Sequence, residues 1–429
     1  MRAKRISTRP SGVLAILIVA VSVATTCAAT EKALHNFEGY NGFYPLTALI
    51  SDGAGNLYGI TSQGGAFNLG VVFELTPNGS GGWAARTLHS FGSGLDGASP
   101  FAGVTFDGAG NLYGTTNQGG TKGVGTVFEM SPNGGGWTEK VIHNFGISDT
   151  DGQNPSASLI FDGAGNLYGT TAGGGANNKG TVFEMTPDGN GEWTEFLLHN
   201  FGNGLDGQYP QAGLIFDGAG NLYGTTGQGG SYSCPIDVGC GTVFEMTPNG
   251  SGGWTERVLH NFGHGLDGTA PIASLIFDSA GNLYGPTNAG GTLSSGTVFE
   301  MTPNGSGGWT EKVLHNFGQG NDGVAAQGTL VFDGSGNLYG TTWSGGDLLC
   351  YGFVGCGTVF EMTPNGSGGW TEKVLHNFGH GLDGTHPGAG VIRDAAGNLY
   401  GTAEQGGDFM CTGHGCGIVY EVTTAADWP

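Results

Sequence analysis

The sequence has 429 residues, of which 90 are glycine and only 11% are charged. The first 29 residues carry four of the 13 basic residues and no acid, so the remainder has 9 basic and 35 acidic side chains and a net charge of −26. Such a charge disfavours nucleic acid and anionic membrane surfaces as partners, and it suits divalent cations, cationic ligands or simple solubility.

The chain begins with a segment that has the pattern of a secretory signal peptide. Four basic residues precede an apolar stretch over residues 13–24, which is too short to span a bilayer, and Cys27-Ala28-Ala29 supplies the small residues of a cleavage site. We therefore expect cleavage near Ala29 and a secreted, periplasmic or extracellular protein. A lipoprotein anchor on Cys27 is the alternative, although Thr26 before it fits that pattern poorly. No second hydrophobic span follows, which predicts no integral membrane segment.

The rest of the chain is built from one repeated unit. Each unit contains four short runs rich in β-branched and aromatic residues and bounded by Gly, Asn, Asp or Pro, which is typical of strands joined by turns. In the fourth copy these predicted strands, A to D, are residues 213–216, 221–226, 241–246 and 254–262. The motif Gly-Asn-Leu-Tyr-Gly at strand B recurs at steps of 55 or 61 residues, with its asparagine at Asn56, Asn111, Asn166, Asn221, Asn282, Asn337 and Asn398.

Seven four-stranded antiparallel units predict an all-β fold, a seven-bladed β-propeller. Apolar residues fall on both sides of strands A and C, as expected for sheets packed between neighbours. The Asp-Gly-Ala-Gly sequence between A and B predicts a tight hairpin capped by its Asp side chain. A parallel β-helix is the alternative fold, but its coils are much shorter than 55 residues.

The two ends of the chain complement each other. A strand D stands alone near the amino end, and the last strands A, B and C have no strand D after them. Residues 30–37 match residues 371–378 except at Ala33, and Trp428 matches the Trp that opens the internal D strands. The amino-terminal strand is therefore predicted to complete the seventh blade and close the ring, which removes two exposed sheet edges. We expect one domain over residues 30–429 and a monomer.

Six cysteines follow the predicted signal peptide, and they occur in pairs inside the three longest loops between strands B and C. Their even number, local spacing and expected export favour three small disulfides. Other pairings stay open, since six cysteines allow 15. Zinc is disfavoured because no Cys-x-x-Cys spacing occurs. The predicted pairs are Cys234/Cys240, Cys350/Cys356 and Cys411/Cys416.

The loops between B and C and between D and A emerge on the same face of an antiparallel blade, and they vary between copies, so a local function is expected on this variable face. The D–A loops carry an Asp that either caps its own turn or joins a ring of carboxylates that binds Ca²⁺. These residues are Asp96, Asp206, Asp267, Asp322 and Asp383. The histidine repeated in every strand D is interpreted as a packing or hydrogen-bonding residue, and the repeated Glu of strand C as a cross-strand partner of Lys or Arg in strand D.

Several histidines break the repeat near blade seven. His380, Asp383 and His386 lie in the loop that enters this blade, and His414 lies in its predicted disulfide loop. Imidazole and carboxylate groups at this spacing suggest a metal or acid–base site. The alternative is a set of solvent-exposed loop histidines. The sequence contains no nucleophile elbow, phosphate-binding loop, dinucleotide fingerprint or His-Glu-x-x-His motif.

The long motif Gly-Asn-Leu-Tyr-Gly-Thr-Thr, Gly-Thr-Val-Phe-Glu-Met-Thr-Pro-Asn-Gly, Leu-His-Asn-Phe-Gly resembles the bacterial GloVer tandem repeat of "choice-of-anchor" proteins. The resemblance covers residues 31 to about 424. It implies an exported bacterial protein, often tethered by a carboxy-terminal sorting signal, and it supplies no catalytic residues. Residues 424–429 have neither a hydrophobic tail nor a basic cluster, so such tethering is not expected here.

Together these patterns predict a secreted, non-enzymatic propeller that binds a protein, a glycan or a small ligand on its variable face. Near-identical blades favour a scaffold, because catalysis needs an asymmetric group of residues. The alternative is an extracytoplasmic hydrolase or lyase, with or without a metal ion, whose site lies near blade seven. An adhesive or matrix component is a third hypothesis. No cofactor is expected, with Ca²⁺ or another divalent metal as the alternative.

Overall fold

A computed structural model describes residues 29–234, 239–305, 307–346, 355–407, 411 and 414–424. These residues form 30 β-strands and no helix. They are arranged as seven antiparallel sheets, each with the strand order A-B-C-D. The all-β, seven-bladed propeller predicted from the repeat is therefore confirmed.

Strand A lies next to the central axis and strand D on the outside of each blade. The A strands are β2 (Ile50–Ser51), β6 (Thr105–Phe106), β11 (Ile160–Phe161), β15 (Ile215–Phe216), β19 (Ile276–Phe277), β24 (Val331–Phe332) and β28 (Ile392–Arg393). The B strands are β3 (Leu57–Thr61), β7 (Leu112–Thr116), β12 (Leu167–Gly174), β16 (Leu222–Thr226), β20 (Leu283–Thr287), β25 (Leu338–Ser344) and β29 (Leu399–Ala403).

The two outer strands are longer than strand A. The C strands are β4 (Val71–Pro77), β8 (Thr126–Pro132), β13 (Thr181–Pro187), β17 (Thr242–Pro248), β21 (Thr297–Pro303), β26 (Thr358–Pro364) and β30 (Ile418–Thr423). The D strands are β5 (Trp83–Ser90), β9 (Trp137–Asn144), β14 (Trp193–Asn200), β18 (Trp254–Asn261), β22 (Trp309–Asn316), β27 (Trp370–Asn377) and β1 (Thr30–Asn36). Two further short strands, β10 (Gly152–Pro155) and β23 (Val324–Ala326), pair with the extended ends of β12 and β25.

The core lies between blades rather than inside any one of them. Strands B and C are buried on both faces because each sheet is covered by its two neighbours. One such cluster packs Tyr168 of blade three against Leu222 and Phe244 of blade four. Gly224 of strand B is required here, because a Cβ atom at this position would lie 2.6 Å from the Phe244 ring. The repeated Gly thus lets the repeated Phe lie flat against strand B.

The predicted turn and cross-strand contacts are present. Asp217 Oδ1 accepts hydrogen bonds from the Ala219 and Asn221 N–H groups, at 2.8 and 2.9 Å. Six of the seven strand-C glutamates lie opposite Lys or Arg of strand D, and in blade three Glu184 lies opposite Phe196 instead. Glu245 lies opposite Arg257, and their side chains form an ion pair at 2.6 Å. The repeat therefore specifies its own hairpins and strand register.

The ring closes as predicted from the two chain ends. Strand β1 pairs antiparallel with β30, and Thr30 lies opposite Thr423. On the axial side of the same blade, Thr402 Oγ1 donates to the Thr47 carbonyl of blade one at 3.1 Å, as Thr225 does to Ala273 at 3.3 Å elsewhere in the ring. Trp428 lies outside the described residues. In the part of the chain that the structure describes, no helix is long and apolar enough to cross a membrane.

Candidate ligand site at the mouth of the central cavity

The axis of the propeller is nearly filled by the chain itself. Three residues from each blade, which end two positions before strand A, line a central cavity of about 120 Å³. Most of these side chains are small, as in Ala212-Gly213 and Ala273-Ser274. A cavity of this size holds only a few water molecules. A larger ligand on the axis would therefore lie at its mouth, on the face where the D–A and B–C loops emerge.

Seven residues surround this mouth with the same unusual backbone. Each lies two positions before the cavity-lining segment of its blade, and each has a left-handed backbone with φ between 49° and 61°. Six of the seven precede a proline, where helical backbone conformations are normally disfavoured. We call these residues the mouth ring: Tyr44, Ser99, Asn154, Tyr209, Ala270, Ala325 and His386.

The backbone of the mouth ring is fixed by neighbouring loops. The N–H of Ala270 donates to the Cys240 carbonyl of the preceding blade at 2.9 Å, and the N–H of His386 donates to the Cys356 carbonyl at 2.7 Å. On its other side, the His386 carbonyl accepts from the Glu404 N–H of its own blade at 3.2 Å. These contacts tie each ring position to two B–C loops, so its side chain leaves the backbone at a fixed place.

Glycine would adopt this backbone without strain, yet none of the seven positions is glycine. A side chain at such a φ costs about 1–3 kcal/mol, and strain of this kind clusters at functional sites. The ring also holds Tyr, Ser, Asn, Ala and His at one repeated position, whereas the strands around it hardly vary. The mouth ring is therefore where near-identical blades present different chemistry.

Polar side chains connect neighbouring blades around the mouth. Asn117 Nδ2 donates to Ser156 Oγ at 2.9 Å, and Gln327 Nε2 donates to Asn288 Oδ1 at 3.0 Å. Between blades four and five the rim opens into a cavity of about 390 Å³. Its lining residues are Tyr209, Gln211, Gly227, Gln228, Ala270, Ile272 and Asn288.

The most asymmetric part of the rim lies between blades six and seven. The half-buried Trp343 ring packs on the His386 ring with centroids 4.4 Å apart, and its Nε1 donates to Glu404 Oε2 at 2.9 Å. Burial lowers the pKa of His386, and the charge of His414 lowers it further. Burial raises the pKa of Glu404 although the Trp343 hydrogen bond opposes this shift. A neutral imidazole and a carboxyl that binds its proton more tightly thus flank one indole.

The predicted metal-site residues of blade seven have different environments. His380 is exposed on the loop after β27. Asp383 is buried, with Oδ2 3.1 Å from His376 Nε2 and Oδ1 accepting from the Gly379 N–H at 3.0 Å. The equivalent Asp residues Asp96, Asp206, Asp267 and Asp322 make the same contacts with their own strand-D histidines and turns, as the turn-capping interpretation predicts.

Two members of that predicted site do approach each other. His386 is part of the mouth ring, and the exposed His414 lies near enough to affect the pKa of His386. The imidazole of His386 has its Nδ1 3.0 Å from Thr385 Oγ1. A metal site formed by His380, Asp383, His386 and His414 stays a prediction.

Disulfides hold the loops beneath this rim. Cys234 is bonded to Cys240 and Cys411 to Cys416. Cys356 is also disulfide-bonded, while its predicted partner Cys350 lies outside the described residues. Cys240, Cys356 and Cys416 lie two residues before strand C, and their carbonyls accept hydrogen bonds from the mouth ring of the next blade. Disulfides of this kind are typical of an oxidising, extracytoplasmic environment.

Sequence reasoning did not identify the mouth ring or Trp343. Positive φ has no local signature when the residue is Tyr, Ser or Ala, since these residues rarely adopt it. Trp343 did carry a signal, because it is the one tryptophan that does not stand at the start of a D-strand motif.

The blades and their rim define a β-propeller repeat protein whose variable positions gather at the mouth of the axis. The Gloeobacter/Verrucomicrobia repeat matches residues 19–235 and 236–428, so the chain belongs to this repeat family. The resemblance noted in the sequence is thereby confirmed. No curated protein matches the chain in sequence.

Solved structures share the fold. The chain is similar to virginiamycin B lyase from Staphylococcus aureus, with a TM-score of 0.54, 13% identity, and coverage of 92% of this chain and 99% of the lyase. It is also similar to a fungal alcohol oxidase of the AA5 family in complex with copper, with a TM-score of 0.53, 15% identity, and coverage of 93% and 78% of the two chains. At these identities the likeness concerns the fold alone.

Proposed function

We propose that this protein is an exported binding protein that holds an uncharged, polyhydroxylated ligand such as a glycan at the mouth of its central cavity. The observation that carries the proposal is the mouth ring. Seven strained, backbone-fixed positions point different side chains at one rim while the scaffold beneath them repeats.

The side chains at the rim suit such a ligand. Tyr209 and Trp343 offer flat rings that combine an apolar face with a polar atom. Amides such as Gln211 and Gln327 can donate to and accept from hydroxyl groups in the same plane. The strongly acidic chain, with a net charge of −26 after residue 29, disfavours polyanions. A neutral sugar can stack on the aromatic rings, can form hydrogen bonds with the amides, and carries no negative charge.

Export is part of this proposal. The signal-peptide pattern of residues 1–29, the disulfides and the acidic surface support it. The protein expressed in a Gram-negative host should be recovered from the periplasm or the medium, with an amino terminus near Thr30 by Edman sequencing. Recovery from the cytoplasm with Met1 intact would contradict export without affecting the binding proposal.

Binding is tested with a glycan array, followed by calorimetry on the strongest ligand. Trp343→Ala should weaken the dissociation constant by about tenfold or more, which corresponds to about 1.4 kcal/mol. Phe196→Ala is the matched control, because Phe196 is a 51% exposed aromatic on an outer strand and should leave affinity unchanged. Equal affinity of wild type and Trp343→Ala, or equal losses in both variants, would overturn the proposed site.

A second function is favoured by one observation, the opposed pKa shifts of His386 and Glu404 around Trp343. An imidazole with a lowered pKa is a candidate base and a carboxyl with a raised pKa is a candidate acid, so this rim could also hydrolyse a bound glycan or cleave it by elimination. Mass spectrometry after incubation would detect the shortened product. Glu404→Gln should abolish such turnover while binding persists, and an unchanged ligand with wild type would leave binding as the sole function.

A further inference from the structure

A second type of side-chain cluster is repeated at the outer rim, between neighbouring blades. It combines the histidine of one strand D, the Asp of the loop that follows, and a glutamate from strand D of the next blade. The six clusters are His89/Asp96/Glu139, His143/Asp151/Glu195, His199/Asp206/Glu256, His260/Asp267/Glu311, His315/Asp322/Glu372 and His376/Asp383/Glu31.

The seventh junction shows that the two acids belong together. There the loop after His35 has no equivalent Asp, and His35 lies 3.3 Å from Asn41 instead. The next strand D has Ala85 opposite Leu75, in the register where Glu139 lies opposite Met130. The one junction without the loop Asp is thus also the one without the glutamate, which indicates that the acids work as a unit.

Five of the six clusters are closed by a direct hydrogen bond. In these the His Nε2 lies 3.0–3.1 Å from the Asp Oδ2, and the two residues are seven positions apart in the sequence. The cluster between blades two and three differs, because its loop has one more residue and separates His143 from Asp151 by eight positions. Here Nε2 lies 3.9 Å from Asp151 Oδ2 and also 3.9 Å from Glu195 Oε2.

This open cluster leaves buried polar atoms without partners among the described residues. His143 Nε2 and Asp151 Oδ1 have no hydrogen-bond partner, whereas the equivalent atoms of the closed clusters are paired. Glu195 Oε1 is also unpaired, as is the glutamate Oε1 of every closed cluster. The side chains of His143 and Asp151 are only 9% and 2% exposed, so water does not readily replace a partner. Asp151 Oδ2 is held in place by the Ile147 N–H at 2.8 Å. Buried polar atoms in native proteins are nearly always paired, so the unpaired imidazole nitrogen and carboxylate oxygen of this cluster need a partner.

We propose that His143, Asp151 and Glu195 bind one Zn²⁺ ion at the junction of blades two and three. One imidazole nitrogen and two carboxylate oxygens are ligands that zinc accepts, and zinc sites with three protein ligands keep a fourth position for water. Tetrahedral bonds of about 2.0–2.1 Å separate ligand atoms by about 3.4 Å. The observed 3.9 Å spacings need to contract by only about half an ångström. The ion would add a metal link to the apolar packing and hydrogen bonds that already join these two blades.

The neighbouring cluster of His89, Asp96 and Glu139 supplies a control within the same chain. Its three ligand atoms also lie within 4.8 Å of one another. However, His89 Nε2 is already hydrogen-bonded to Asp96 Oδ2 at 3.0 Å, so the gap for an ion is closed. Only the longer loop of blade two opens that gap.

The test is zinc titration by calorimetry of chelator-treated protein at about 0.15 M salt, where weak surface binding to acidic groups is screened. Cobalt absorption then reports the coordination geometry. Wild type should take up one Zn²⁺ per chain and show the intense visible bands of tetrahedral Co²⁺. Glu195→Gln should weaken binding by about 100-fold or more, because even residues outside the first coordination shell contribute about 10–100-fold. Glu139→Gln, in the closed cluster, should bind as wild type.

A second variant keeps the test independent of any folding defect in Glu195→Gln. Deletion of Asp149 restores the seven-residue spacing of the closed loops and keeps all three proposed ligands. It should abolish zinc binding while the melting temperature of the metal-free protein is unchanged or higher. Absence of stoichiometric uptake by wild type, or undiminished uptake by Glu195→Gln and the deletion variant, would overturn the site. Neither result bears on ligand binding at the mouth ring.

Discussion

Tyr420 stands in strand C of blade seven where the other six blades have phenylalanine. Its ring packs on Phe378 with centroids 4.9 Å apart, in the same arrangement as the Phe pairs of the other blades. The added hydroxyl is fully buried and has no hydrogen-bond partner among the described residues. Burial and the charge of Glu31 raise the pKa of Tyr420, so this hydroxyl stays protonated.

We predict that Tyr420→Phe stabilises the protein by about 1–3 kcal/mol, the cost of burying an unpaired polar group. Chemical denaturation at neutral pH measures the change. The reverse substitution, Phe360→Tyr in blade six, should destabilise the protein by a similar amount. A loss of stability in Tyr420→Phe would show that the hydroxyl has a partner.

The strand-D glutamates of the closed clusters have raised pKa values. Burial raises the pKa of Glu311 to about 7, with the charges of His260 and Asp267 as smaller, opposing influences. The folded protein therefore holds a proton on Glu311 more tightly than the unfolded chain, whose pKa is about 4.5. This stabilises the folded state fully below about pH 4.5, and the stabilisation is lost as the pH rises through 7.

Glu311→Gln should therefore make the protein more stable than wild type at pH 8 and change little at pH 4.5. Denaturant unfolding at the two pH values gives this difference directly. Glu192→Gln is the control, because this side chain is 78% exposed and pairs with the exposed Lys140, so its substitution should change the free energy of unfolding little. A greater benefit of Glu311→Gln at pH 4.5 than at pH 8 would contradict the assignment.

At the scale of single elements, the A–B hairpin depends on one carboxylate. Asp217 accepts from Ala219 N–H, from Asn221 N–H and from Asn221 Nδ2. Burial alone would raise the pKa of Asp217, but these hydrogen bonds outweigh it and hold the pKa below 3.8. The contribution of the turn to stability is thus present above about pH 3.8 and is lost as the pH falls further.

We predict that Asp217→Ala destabilises the protein by about 1–3 kcal/mol at pH 7, since it leaves the turn donors without their acceptor. The difference from wild type should shrink as the pH is lowered towards 3, and thermal unfolding across this range measures it. Asp217→Asn keeps one acceptor oxygen and should therefore lose less stability at pH 7 than Asp217→Ala. Equal losses at pH 7 and pH 3 would contradict a role for the ionised form.

The elements themselves were predictable because each is encoded within one repeat. The hairpin of Asp217 and the pair of Glu245 with Arg257 follow from residues close in sequence. Contacts between blades were not predictable, because a period gives no information about which face of one copy meets the next. The glutamate of strand D, as in Glu195, was missed for this reason. The mouth ring was missed because its backbone depends on carbonyls of the preceding blade, not on its own residue type.

At the scale of the whole molecule, strand β1 completes the ring. Without it, β30 would expose an unpaired edge and the apolar cluster that includes Tyr420 and Ala33 would lose its cover. A chain that begins at Glu38 should form higher oligomers by light scattering and melt at a lower temperature than a chain that begins at Thr30. A synthetic peptide of residues 30–37 should restore the monomer, and a monomeric, unshifted truncation would contradict this role.

The pairing of Thr30 with Thr423 also sets the order of events during biosynthesis. The ribosome makes β1 first and its partner β30 last, so the ring of a nascent chain cannot close until synthesis is nearly complete. Under the proposed export, the open polypeptide would pass through the translocation channel, and β1 would pair with β30 afterwards. A prematurely terminated chain would lack β30, so β1 could not pair and the chain would stay susceptible to proteolysis.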